Sequence, residues 1–259
     1  MEVFKYFKQL YQGKDVLSNH ITLFSLLGIM VILLNNAAAH WGSNILYFDF
    51  FAVAPSSDLE LWLNIFFGIL ILIYMIGYGI KFIHKVIEEN NIELPNFDLE
   101  PSSYFVKFLP VFLIWIFYYV ATFLAGILFT FSDNNPVLVY VFSSIMICLI
   151  PFIHLIFVEY VRDFKITKNI IYPWNIFRYL DKNIGDVIFL VAAVIILSLI
   201  PDAVIFLMLK FAHGLASEVM KLSVYLAGLC IGLYLIFVLK LVYFAGLAKI
   251  LNEKFVKSN

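Results

Sequence analysis

Residues Ile170 to Leu190 read IIYPWNIFRYLDKNIGDVIFL. At 100° per residue, Ile176, Phe177, Leu180, Ile184 and Val187 fall on one face of a helix. Asn175, Arg178, Asp181, Lys182 and Asp186 fall on the other. That division is expected of a helix lying in a headgroup region. From Val187 the chain turns apolar, so an interfacial segment feeds directly into a membrane helix. The start of the chain echoes the pattern. Ile176-Phe177-Arg178-Tyr179-Leu180, then Gly185 and Asp186-Val187-Ile188, parallels Val3-Phe4-Lys5-Tyr6-Phe7, then Gly13 and Asp15-Val16-Leu17. A fainter echo of the Pro-aromatic start lies at Leu94-Pro95-Asn96-Phe97.

Working outward, 63% of the 259 residues are hydrophobic and 14% charged, with mean hydropathy +0.97. A soluble domain does not need that much apolar surface, so the expected class is an all-α polytopic membrane protein. Cys148 and Cys230 both lie in apolar runs and read as buried packing residues rather than a disulfide or a metal pair.

Residues 3–12 predict an amphipathic helix, with Val3, Phe4, Phe7, Leu10 and Tyr11 on its apolar face. The apolar runs that follow are Ile21–Leu34 (extending through Ala39), Leu61–Ile83, Phe108–Phe131, Val137–Val158, a fifth from Val187, and Leu222–Leu239. The first, with Ala37-Ala38-Ala39 behind it, has a signal peptide as its rival reading. Ser132-Asp133-Asn134-Asn135-Pro136 is a tight turn between runs three and four, and Pro151 a kink in run four. The fifth run meets Pro201-Asp202 after about four turns, where a helix end is expected.

Lysine and arginine set the orientation. Fifteen fall in the N-terminal region, the second and fourth links and the C-terminal region, and two, Lys210 and Lys221, on the other side. By the positive-inside rule this predicts six spans in the cytoplasmic (inner) membrane with both termini cytoplasmic. The whole chain, 1–259, then forms one transmembrane domain of three hairpin units, 1–91, 92–169 and 170–259, each preceded by an interfacial segment.

Residues Gly77 to Phe112, GYGIKFIHKVIEENNIELPNFDLEPSSYFVKFLPVF, join a Gly-Tyr helix end, a basic then acidic stretch and a Leu-Pro-x-Phe-Asp turn to the next span. This pattern resembles an uncharacterised prokaryotic integral-membrane family, domain of unknown function 4013, over roughly residues 60–200. Trp174 to Gly185 resembles that family's re-entry segment. It is also similar to related six-span families, including the membrane domain attached to some glycerophosphodiester phosphodiesterases. The resemblance implies the fold and no activity.

Few ionisable residues fall within the runs. Asp202, after Pro201, reads either as a cation or proton site beside a broken helix or as an N-cap, with Ala203–Leu209 starting a new short helix. His154 reads as a pH-sensing group or as a hydrogen-bonding partner for a neighbouring helix. Lys240 is expected to snorkel to the headgroups. The acidic link 88–100 lacks the spacing of a calcium loop and reads as a solvated face. Gly228 with Gly232, and Ala121 with Ala125, are small-xxx-small motifs for close helix packing. No nucleotide-loop, HExxH or GxSxG pattern appears, so neither an enzyme nor a cofactor or metal site is expected. Two functions compete. One is a non-catalytic component binding membrane lipids, anionic on the cytoplasmic face, or a protein partner, including a second copy of the chain; nucleic acid is not expected. The other is a permease or channel for a neutral or apolar solute.

Overall fold

The computed structural model describes residues 2–12, 15–40, 57–98, 100–110, 112–113, 116, 120, 151–171 and 174–255. Among these residues the secondary structure is helical, with no strand. In chain order the helices are α1 (Glu2–Leu10), α2 (Val16–His40), α3 (Asp58–Glu89), α4 (101–110), α5 (151–163), α6 (Lys168–Ile171), α7 (Trp174–His213) and α8 (Glu218–Phe255). Stretches within four of them are long and apolar enough to cross a membrane: Val16–Leu34, Asp58–Glu89, Asn183–His213 and Ser223–Leu251. The expected third and fourth runs, with the turn at 132–136, fall largely outside the described residues.

Local chemistry sets the helix ends. Ser57 caps α3, its hydroxyl accepting from the Glu60 amide at 3.2 Å, and Asp58 and Glu60 place negative charge in the first turn. Asn90 closes the helix in the left-handed conformation, φ 52°. A tight turn over 214–217 joins α7 to α8.

Close contacts fix the packing. Gly28 of α2 faces Cys230 of α8, and Gly68 of α3 faces Leu34 of α2. Leu190 and Ile205 of α7 meet Gly246 and Gly232 of α8. Hence α2 runs antiparallel to α3 and α8, α7 runs antiparallel to α8, and α3 and α8 are parallel. The ends of α3 and α8 and the starts of α2 and the apolar part of α7 therefore share one side, the charged end. At 1.5 Å per residue α3 is about 48 Å long and α8 about 57 Å, against about 30 Å of hydrocarbon. The main buried core lies at the charged end and draws in Leu10, Tyr78, Val86, Ile92, Leu155, Val161, Val242 and Leu247.

One expectation needs correction, and two apolar faces are resolved further. The fifth run does not end at Pro201-Asp202, and no new helix begins at Ala203. α7 continues to His213, and its non-helical backbone lies at Asn183 (φ −125°, ψ 16°). Pro201 is buried, and Gly232 leaves room for Ile205 and the Pro201 carbonyl to approach α8. That neighbour supports the helix through the proline, as in other membrane bundles. In α7, Ile184 is exposed, and the buried stripe past the kink is Asn183, Val187 and Leu190. The non-helical backbone at Asn183 lies one residue before Ile184. In turn, α1 buries Val3, Tyr6 and Leu10 against the bundle while Phe4 and Tyr11 stay exposed. Its wide apolar face is thus split between protein and surroundings.

Candidate functional site

The densest convergence of polar and aromatic groups lies at the charged end, where the Gly77–Phe112 motif folds back on itself. Tyr78 is fully buried, and its hydroxyl donates to the Pro95 carbonyl at 2.8 Å. Phe97 stacks on the Tyr78 ring at 4.4 Å between centroids and on Tyr74 at 6.2 Å. The Tyr74 hydroxyl donates to the Asp98 carbonyl at 2.9 Å. One oxygen of the Asp98 side chain accepts from the Glu100 amide at 3.0 Å, an Asx turn that starts α4, and the other meets Lys81 at 2.5 Å. Glu100 reaches the same ammonium at 2.7 Å. Gly77 is required because the Pro101 carbonyl occupies the place a Cβ would take. The Gly-Tyr and Leu-Pro-x-Phe-Asp elements are two halves of one clasp.

His84 connects this clasp to α5. Its Nδ1 donates to the Val161 carbonyl at 3.1 Å, and Nε2 lies 3.3 Å from the Glu88 carboxylate. Its ring packs 4.9 Å from Phe164 and 5.7 Å from Tyr104. Phe164 holds φ 50°, which is costly for a bulky side chain. The rings of His84, Tyr104 and Tyr160, with Lys107 lying 5.0 Å over its face, hold it there. Burial and then the Glu100 carboxylate raise the Tyr104 pKa, and burial raises that of Tyr160. Glu159, 0% exposed, pairs with Arg162 at 2.8 Å.

A second network fastens α1. His20 Nε2 lies 3.2 Å from the Leu10 carbonyl, so that nitrogen carries the proton and Nδ1 accepts from Tyr234 at 2.6 Å. With its own proton committed to His20, Tyr234 accepts from Tyr11 at 3.0 Å. The Tyr11 ring stacks on His20 at 4.3 Å.

His154, Asp202, Gly228 and Gly232, singled out from sequence, belong to neither network. His154 Nδ1 is 3.0 Å from the Tyr243 hydroxyl, and its ring meets Tyr243 and Phe244 edge-on. Asp202 is exposed within α7, and its side chain forms no hydrogen bond or ion pair among the described residues. Gly228 and Gly232 are buried against Met208 and Ile205 of α7. Ala121 and Ala125 lie outside the described residues. The acidic link is not simply a solvated face, since Asp98 and Glu100 share a lysine whose side chain is 14% exposed. Sequence reasoning passed over His20, and it marked Tyr78, in the Gly-Tyr helix end, and His84 without a partner for either. The Leu-Pro-x-Phe-Asp turn pointed to the clasp, but nothing local pointed to His20, whose partner Tyr234 is 214 residues away.

The arrangement fixes helices. The Tyr74, Tyr78 and Tyr234 hydroxyls, the His20 and His84 imidazoles and the Asp98 and Glu100 carboxylates are engaged with one another, with Lys81 or with the backbone. Compared with family models, curated proteins and solved structures, the chain matches none.

Proposed function

We propose that this chain is a non-catalytic, multi-pass component of the cytoplasmic membrane that acts by binding lipid or protein partners. In this reading six spans form three units, 1–91, 92–169 and 170–259, with both termini and the charged end in the cytoplasm. The uneven distribution of lysine and arginine supports the orientation. The resemblance of Gly77 to Phe112 to the uncharacterised six-span family supports the span number.

One observation carries the functional reading. Tyr78, Lys81, His84 and His20 at the charged end are joined into structural contacts, while the long faces of α3 and α7 present exposed Leu63, Phe66, Ile195, Leu199 and Phe206. Such a surface meets other apolar molecules, and its basic end suits anionic headgroups. The test is purification from native membranes in a lipid-retaining polymer, with quantification of the co-purifying lipids. Enrichment of anionic phospholipid over the bulk membrane is expected. A lipid profile equal to the bulk, together with saturable solute flux in proteoliposomes, overturns this reading in favour of a permease for a neutral or apolar solute.

A further inference from the structure

On the membrane side of the clasp, α3, α4, α5 and α8 border a cavity of about 220 Å³. Its wall is carbon, with Ile76 and Ile83 from α3, Phe157 from α5 and Phe237 from α8. One water needs about 15 Å³ and two to four polar partners. The space is ample, but the wall offers no such set of partners, so the cavity suits hydrocarbon. Gly79 opens onto it: a Cβ there would meet Leu241 at 3.9 Å and nothing nearer.

Lys240 also borders the cavity and is exposed. Because Gly79 faces Leu241, Lys240 stands within a turn of the height of Lys81. The two lysines differ in one respect. Lys81 is shared by Asp98 and Glu100, whereas Lys240 has no acidic partner among the described residues. An uncompensated ammonium at headgroup level above a hydrocarbon pocket is complementary to an anionic amphiphile. We propose that the cavity takes part of one acyl chain of an anionic phospholipid, with its phosphate on Lys240. This inference rests on the lipid-partner reading above and assigns it a site.

Native mass spectrometry of the full chain tests it, with phosphatidylglycerol and phosphatidylcholine of identical chains added at equal concentration. Wild type is expected to retain phosphatidylglycerol at least five-fold over phosphatidylcholine. Lys240→Ala should bring the two to equal occupancy. Gly79→Leu, which fills the cavity, should lower both at least five-fold. Ile76→Phe fills it from a second wall if the glycine variant does not fold. A phosphatidylglycerol preference unchanged by Lys240→Ala overturns the site while leaving the lipid-partner reading intact. Occupancy unchanged in a folded cavity-filling variant does the same. No preference in wild type overturns the site and, with it, the anionic-lipid part of that reading.

Discussion

Around Tyr78, two turns of α3 engage the returning chain through a buried hydroxyl, two stacked rings, an Asx turn and an ammonium shared by two carboxylates. Around Pro201, α7 approaches α8 through Ile205, Met208 and two glycines, and its outer face is bare. The difference follows from the solvent each region is built to meet. Where water reaches the chain, burying rings and pairing charges both stabilise. In hydrocarbon, leucine gains nothing by leaving the lipid, so helices associate by close backbone approach and shape. Two regions of one bundle are thus expected to respond unequally to the same kind of substitution.

The largest contrast is between two glycines on one helix. Gly77→Val drives a side chain into the Pro101 carbonyl and should cost about 3 kcal/mol in a denaturant titration of detergent-solubilised protein. Gly79→Ala, two residues on, enters open space and should change stability by less than about 0.5 kcal/mol. Equal losses would mean that the clasp does not close over Gly77. Next, Tyr78→Phe strips the Pro95 carbonyl of its buried donor and should cost about 1.5 kcal/mol. A neutral result would show that water replaces that hydroxyl and that the clasp is wetter than its burial indicates.

At the apolar end the obstacle is a side chain rather than backbone. Gly232→Ala pushes on Ile205, which can shift, so the loss should stay near 1 kcal/mol. A cost matching that of Gly77→Val would erase the distinction between the two ends. The smallest effect is expected at Asp202, exposed and unbonded among the described residues. Asp202→Asn should change the unfolding free energy by less than about 0.5 kcal/mol. A larger change, or one that appears only with an added cation, would return Asp202 to the list of ion sites.

How much of this was legible in the sequence follows the same division. The helical start and apolar continuation of α7 could be read because helical period is a local property, whereas the non-helical backbone at the buried Asn183 has no local signal in the sequence. The Leu94-Pro95-x-Phe97-Asp98 element stood out as a pattern. Its meaning lies in Tyr78, 17 residues earlier, whose hydroxyl donates forward along the chain to the Pro95 carbonyl. Pro201 was misread because proline rules describe helices in water. Here α8 supplies, at Gly232, the support that an isolated helix lacks. His154 was read as a helix-pairing or sensing group, and its geometry is set by Tyr243 on a helix 89 residues away.

The central claim is that the clasp end faces the cytoplasm and the α7–α8 turn faces outward, and cysteine labelling reports it directly. In a background lacking Cys148 and Cys230, Asn96→Cys and Ser217→Cys each place one thiol at an exposed position, on the clasp and on the turn. A membrane-impermeant maleimide applied to intact cells or right-side-out vesicles should label residue 217. Residue 96 should react only after the membrane is opened. Labelling of residue 96 from outside would contradict the orientation and, with it, the placing of the basic end against the cytoplasmic leaflet.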